Sequence, residues 1–116
     1  MPNEEDFTQN ERVFACNMGA IEPAQRAEHL ANTRQLLGKL QSIEERPDGY
    51  ALQIPLDATT LLDAVRFINL ERLCCPFFGF TVEVEPGASS FWLGLAGPAG
   101  VKPFIEAELE LSYPAL

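Results

Sequence analysis

The sequence predicts an α+β fold, a two-layer sandwich of a four-stranded sheet and three helices in the order β-α-β-α-β-β-α. Apolar residues recur at helical spacing in three segments, and in three others they alternate with polar residues, the pattern of a half-buried strand. The third observation is the length of the chain. A chain of 116 residues can bury one core but not two, so residues 12–116 are predicted to form a single domain after a flexible acidic arm at residues 1–11.

The first half of the domain contains two predicted strands and one helix. The apolar run at residues 13–16 is typical of a first strand. Pro23 is well placed in the first turn of a helix, which is expected to end near Glu45, before the turn signal of residues 47–49. Residues 50–56 then alternate as a second strand. The apolar stripe of the helix is predicted at helical spacing: Ala27, Leu30, Leu37 and Leu40.

The second half contains two more helices and two more strands. Asp57 is a good N-cap for a helix that ends near Cys74, because Pro76 disfavours helical geometry at the residue before it. Residues 80–85 and 91–95 alternate as strands on either side of a hairpin loop. The predicted apolar stripe of the helix is Leu61, Leu62, Val65, Phe67 and Ile68. A last helix is predicted after this hairpin, with Val101, Ile105 and Leu109 on one side.

The composition excludes several classes of protein. A 47% hydrophobic content is too high for a disordered chain, and 22% charged residues is too high for a membrane protein. The net charge is −9 and no basic tract occurs, so nucleic acids and anionic membranes are poor partners. The acidic start of the chain is unlike a signal peptide, and three cysteines are an odd number for a disulfide framework. These features predict a cytoplasmic protein with reduced thiols.

The second face of the predicted sheet suggests a partner. It carries a mixture of polar and apolar residues: Ala51, Gln53, Thr81, Glu83, Trp92 and Ala96. This mixture is too polar for a second buried layer, yet more apolar than a face in water requires. A homodimer through the sheet face is one explanation.

The only chemical signal is the placement of three cysteines. Neighbouring Cα atoms are ~3.8 Å apart, below the ~4.4 Å lower limit of relaxed disulfides, so Cys74 and Cys75 cannot pair with each other. They can act as two soft ligands, or one of them can pair with Cys16. The C-terminal end of a helix disfavours a thiolate, which argues against an activated nucleophile, whereas a metal ion would itself deprotonate the thiols.

Three thiolates form a site for a soft ion such as Hg²⁺, Cu⁺ or Zn²⁺. Zinc requires a fourth ligand, and the candidates are Glu71 and His29, although His29 lies among polar residues that favour a solvated helix face. Sulfur atoms on one ion are roughly 4 Å apart, so Cys16 Sγ is expected within about 8 Å of another cysteine sulfur. The alternative is that all three cysteines are small buried packing residues.

The stretch Glu71-Arg72-Leu73-Cys74-Cys75-Pro76-Phe77-Phe78-Gly79-Phe80, together with Ala15-Cys16 and the Gly97–Gly100 turn, carries a resemblance. Over roughly residues 13–111 the chain resembles an uncharacterised bacterial family of small domains with a Glu-Arg-x-Cys-Cys-[Pro/Ala]-Phe-Phe-x-Phe motif. Members stand alone or are fused to regulators similar to the mercury-resistance type. The resemblance implies a setting of heavy-metal or thiol stress, with a metal-responsive regulator as partner.

Two functions follow as hypotheses. The first is a small cytoplasmic accessory or sensor domain that binds a soft metal ion, or responds to thiol stress, through Cys16, Cys74 and Cys75. The second is a non-catalytic homodimeric interaction module whose cysteines only pack. An enzyme has less support, because a single histidine and scattered carboxylates provide no evident catalytic group.

Overall fold

The computed structural model describes residues 14–109. The predicted α+β class is confirmed, with three α-helices and a four-stranded sheet. After a short 3-10 helix at Met18–Ala20, the elements in chain order are α1 (Pro23–Gly38), β1 (Ser42–Arg46), β2 (Gly49–Pro55), α2 (Thr60–Cys74), β3 (Gly79–Glu83), β4 (Ser90–Ala96) and α3 (Val101–Glu108). The predicted arm at residues 1–11 lies outside the described residues.

The sheet consists of two hairpins joined side by side. Its strand order is β1-β2-β4-β3, and every neighbouring pair is antiparallel. The chain thus forms two successive α-β-β units, α1-β1-β2 and α2-β3-β4, which are followed by α3. Strands β2 and β4 lie in the centre and contribute most of the buried sheet residues, because each is covered by a neighbour on both edges.

The predicted first strand is wrong in position. Residues 14–17 form no strand, and Val13 lies outside the described residues. The first strand is instead β1, in a region that was predicted to be helical as far as Glu45. Helix α1 ends earlier, at Gly38. Arg46 pairs with Gly49 across a two-residue turn, so closure of this hairpin gives β1 a complete set of backbone partners along β2. That pairing outweighs the helical spacing of the apolar residues.

Helices α1 and α2 bury only part of the apolar stripes predicted from spacing: Phe67 is buried, and Leu37, Leu61 and Ile68 pack partly against the core. In α1 the buried residues are His29, Asn32 and Leu36, whereas Leu30 is exposed. In α2, Leu62 and Val65 of the predicted stripe are 64% and 52% exposed. The buried side of α2 includes Asp63 and Glu71; Asn32 of α1 donates to the backbone carbonyl of Asp63, and His29 of α1 contacts the carboxylate of Glu71. Helix α3 follows the prediction, with Val101, Ile105 and Leu109 buried.

The core lies between the helices and one face of the sheet. Six sheet residues are buried on that face: Tyr50, Leu52, Ile54, Phe91, Leu93 and Leu95. At the end of α2 a group of phenylalanine rings continues the core, with Phe77 between Phe14 and Phe104 at centroid distances of 5.3 Å each. None of the helices within residues 14–109 has both the length and the apolar character needed to cross a membrane.

Gly49 provides the first test of this packing. A Cβ atom at this position would lie 1.8 Å from the carbonyl oxygen of Leu95, a backbone atom of the neighbouring central strand. We expect Gly49→Ala to lower the free energy of unfolding by about 3 kcal/mol, at the upper end of overpacking costs. The matched control is Gly38→Ala at the end of α1, where nothing lies within 4 Å of the added atom. Equal urea midpoints for the two variants would contradict this account of the β2–β4 contact.

Candidate metal centre

The three cysteines meet at the C-terminal end of α2. Cys74 is the last residue of the helix, and Cys75 follows it with its backbone N–H donating to the Glu71 carbonyl at 2.7 Å. Cys16 lies on the segment that precedes α1, and its sulfur is within 4.8 Å of those of Cys74 and Cys75. The prediction that Cys16 Sγ lies within about 8 Å of another cysteine sulfur is confirmed.

Cys16 and Cys74 form a disulfide, with their Cα atoms 5.3 Å apart. The expectation of three reduced thiols is therefore wrong for this pair, because the fold brings Cys16 against the end of α2. The bridge joins residues 58 positions apart in sequence, and a closed loop of this length stabilises a fold by about 4 kcal/mol in the chain-entropy account. Cys75 is the free, buried cysteine of the described chain.

Two further contacts hold the Cys16 segment in place. The backbone N–H of Asn17 donates to the carbonyl of Cys74 at 2.9 Å. On the other side of Cys16, the ring of Phe14 packs edge-on against Phe77. Cys16 is thus flanked by an anchored residue on each side. The position of this segment does not depend on the disulfide alone.

A buried hydrogen bond between a histidine and a carboxylate lies directly beside the sulfurs. His29 Nε2 of α1 donates to Glu71 Oε1 of α2 at 2.8 Å, and each residue is only 3% exposed. The other carboxylate oxygen, Oε2, lies 3.6 Å from Cys75 Sγ and can accept from its S–H. His29 Nδ1 is buried without a hydrogen-bond partner among the described residues, while the ring stacks on Phe67. Glu71 therefore links the histidine to the free thiol.

The surroundings of Cys75 and Glu108 favour their protonated forms. Burial raises the pKa of the Cys75 thiol well above its ordinary value, and the nearby charges of Glu71 and Glu108 raise it further. Burial also raises the pKa of the Glu108 carboxyl, with an additional contribution from the charge of Glu71. Cys75 is consequently a poor nucleophile in this state. A metal ion, which replaces thiol protons, would convert the same residue into a ligand.

Four ligand atoms converge on one point. The sulfurs of Cys16, Cys74 and Cys75 and a carboxylate oxygen of Glu108 all lie within 4.8 Å of one another. Zinc takes four ligands at about 2.3 Å for sulfur and about 2.1 Å for carboxylate oxygen. Side-chain rotations can close this set around an ion only after the Cys16–Cys74 bond is broken. The thioether of Met18, whose Sδ lies 3.8 Å from Cys74 Sγ, adds another soft atom at its edge.

The predicted fourth ligands occupy a different position. Glu71 and His29 are brought to the site, but they pair with each other and stand behind Cys75. The expectation of a solvated His29 is wrong, because His29 shares a helix face with Asn32 and Leu36, both of which pack inward. Glu108 was missed by sequence reasoning. Its signal is spacing, since Glu108 follows Val101 by seven residues and Ile105 by three, and so lies on the buried face of α3.

The second face of the sheet is covered by its own polar contacts. Arg46 on β1 reaches across the sheet to Glu83 on β3 at 3.1 Å and also pairs with Glu44 at 3.0 Å. Gln53 accepts from Ser42 at 2.7 Å and donates to Ser90 at 3.0 Å. These contacts are compatible with a face in water. A homodimer through this face stays a prediction.

Comparison with known proteins finds no matching family model, no matching curated protein and no matching solved structure. The feature of this chain that bears on its function is therefore the geometry of the cysteine cluster.

The environment of Cys75 predicts its reactivity. In the native, disulfide-bonded protein at pH 8, we expect iodoacetamide to alkylate Cys75 at least about 100-fold more slowly than in denaturant, because a raised pKa and burial both reduce attack by the thiolate. Intact mass measured over time gives both rates. Cys75→Ala serves as control and should gain no label in either condition. Native labelling at the denatured rate would contradict the buried, protonated thiol.

The environment of Glu108 predicts a pH dependence of stability. Since the folded state raises the pKa of Glu108, it holds this proton more tightly than the unfolded chain does. The associated stability is fully present below the unfolded pKa and is lost as pH rises through the folded pKa. Glu108→Gln should match the wild type in acid and become more stable than it towards neutral pH, measured by urea unfolding of the oxidised proteins. Glu85→Gln, on an exposed loop, controls for removal of one negative charge from an acidic chain. Parallel pH curves for Glu108→Gln and the wild type would contradict the shift.

Proposed function

We propose that this chain is a small accessory or sensor domain that binds one soft metal ion through Cys16, Cys74 and Cys75, with Glu108 as fourth ligand. The observation that carries the proposal is the convergence of these four ligand atoms within 4.8 Å of one another. They come from three separate parts of the chain: the segment before α1, the end of α2 and the end of α3.

The ligand types favour a soft or borderline ion. Thiolates select ions such as Hg²⁺, Cu⁺ and Zn²⁺ over hard cations such as Mg²⁺ and Ca²⁺, which prefer oxygen ligands. Three sulfurs alone suit Hg²⁺ or Cu⁺, whereas Zn²⁺ also needs the Glu108 oxygen to reach four ligands. The role of Glu108 therefore separates the candidate ions.

Glu71 supports the site from behind. One oxygen of its carboxylate contacts Cys75 Sγ, and the other accepts a hydrogen bond from His29. These two contacts fix the orientation of the carboxylate. Partners of this kind orient metal ligands and commonly change metal affinity 10- to 100-fold when removed. The ion must displace the Cys75 proton, so binding should strengthen as pH rises.

The alternative of a homodimeric interaction module has less support, because the polar residues of the sheet face satisfy one another. A metal-responsive regulator as partner, and a cytoplasmic location, follow only from the sequence and its motif.

Metal binding is tested on protein reduced with a dithiol, which is then removed under an inert atmosphere. Native mass spectrometry with one equivalent of Zn²⁺ or Hg²⁺ should show one bound ion. Cys74→Ser should weaken binding of both ions by more than about 100-fold, since a lost ligand costs more than a lost supporting contact. Binding by Cys74→Ser equal to the wild type would refute the proposal.

The Glu108→Gln variant distinguishes the ions. We expect it to weaken Zn²⁺ by at least about tenfold and to leave Hg²⁺ nearly unchanged, because three thiolates already satisfy Hg²⁺. Glu85→Gln is the matched control and should bind both ions as the wild type does. Equal Zn²⁺ affinity for Glu108→Gln and Glu85→Gln would remove Glu108 from the ligand set.

A further inference from the structure

We infer that the Cys16–Cys74 disulfide is the closed state of the metal site, and that a dithiol reductant opens it to the ion. This inference rests on the proposed metal site and adds its regulation. Metal ions bind thiolates, and the disulfide withdraws two of the three sulfurs from that role. The oxidised site retains only Cys75 and Glu108 as ionisable ligands. Oxidation and ion binding therefore exclude each other.

The site persists when the disulfide is broken. Reduction removes one covalent bond, but the Asn17 N–H still donates to the Cys74 carbonyl, and Phe14 still packs against Phe77. These contacts lie on both sides of Cys16 and hold its backbone against the end of α2. The two released sulfurs consequently stay close to Cys75 and Glu108, and the reduced site needs little reorganisation to take up an ion.

The exposure of the three cysteine residues points to the side from which a reductant attacks. Cys16 is partly exposed, whereas Cys74 and Cys75 are both 0% exposed. A reductant from solution therefore reaches Cys16 Sγ first.

The reaction is an ordinary two-step exchange. One thiolate of the reductant attacks Cys16 Sγ and forms a mixed disulfide, while the electron pair of the broken S–S bond leaves on Cys74 Sγ. The second thiol of the reductant then attacks the reductant's other sulfur, which is bonded to Cys16 in the mixed disulfide, and releases the Cys16 thiolate. The reductant becomes a cyclic disulfide and loses two electrons, which the protein gains. An ion then replaces the protons that the released sulfurs would otherwise bind.

The exclusion acts in both directions, as any coupling between two equilibria must. An ion that binds only the reduced state stabilises that state, and so protects the thiols from oxidation. The same site would thus report the level of the ion and the level of the reductant together, responding fully only when both are present.

The main experiment uses the wild-type chain in two redox states. Oxidised protein, with one titratable thiol in denaturant, and reduced protein, with three, are each titrated with Zn²⁺ after removal of the reductant. We expect the oxidised protein to bind at least about 100-fold more weakly, because two ligands are lost. Equal binding in both states would contradict the mutual exclusion of disulfide and ion, but it would not contradict the metal site. Failure of both states to bind, with circular dichroism showing folded protein, would overturn the metal site itself.

Two variants separate the gate from the ligands. Cys75→Ser keeps the disulfide, and brief treatment with glutathione should give a mixed disulfide at Cys16 on peptide mapping; modification at Cys74 instead would overturn the assigned point of attack. Cys16→Ser cannot form the bridge, so whatever Zn²⁺ binding it retains should be unchanged by prior oxidation or reduction. A redox-dependent Zn²⁺ affinity in Cys16→Ser would show that the Cys16–Cys74 disulfide is not what controls ion binding.

The reciprocal effect is measured without mutation. Oxidised glutathione is added to reduced wild-type protein, and disulfide formation is followed by the number of remaining thiols. Saturating Zn²⁺ should slow this loss by at least about 100-fold, since the free thiolate is the species that reacts. Loss at the same rate with and without Zn²⁺ would contradict mutual exclusion.

Discussion

A carboxylate that is almost completely removed from water must find partners inside the protein, because an unpaired buried charge costs several kcal/mol. Glu71 meets this constraint through contacts with α1 and with the residue that follows α2. His29 of α1 donates to one oxygen, and Cys75 lies against the other. Glu108 of α3 is close enough for its pKa to respond to the same charge. The packing of the three helices around the cysteine cluster is thus tied to one side chain.

The cysteines add a second constraint at the same place. The segment around Cys16 is held at the end of α2 by a covalent bond, a backbone hydrogen bond and an aromatic contact. These three attachments differ in chemistry, and only the first responds to a reductant. A fold that places a breakable bond among contacts that do not break can change the chemistry of its sulfurs without releasing the segments that carry them. That property is what a site with two exclusive states requires.

The same arrangement explains why the site is not built for nucleophilic catalysis. A reactive cysteine needs an environment that stabilises the thiolate, as positive charge or a helix N-terminus does. Cys75 instead follows a helix C-terminus, is fully buried and faces the carboxylate of Glu71. Each of these features favours the thiol over the thiolate. A bound cation reverses the balance, because its charge offsets the carboxylates and replaces the thiol proton.

Local patterns in the sequence determined the α+β class, the strands with clear alternation and the apolar face of α3, because spacing along the chain dictates which side chains share a face. The end of α2 at Cys74 was also determined locally, by Pro76. Tertiary structure decided the rest. The first strand lies at Ser42–Arg46 rather than residues 13–16, because a hairpin partner was available only there. His29 and Glu71 are buried, and Glu108 is partly buried, because helices far apart in sequence bring hydrogen-bonding groups together, and no local spacing records that approach. The same holds for Cys16 and Cys74. Their identity as soft ligands was visible in the sequence, but their pairing depends on the fold because they lie 58 positions apart.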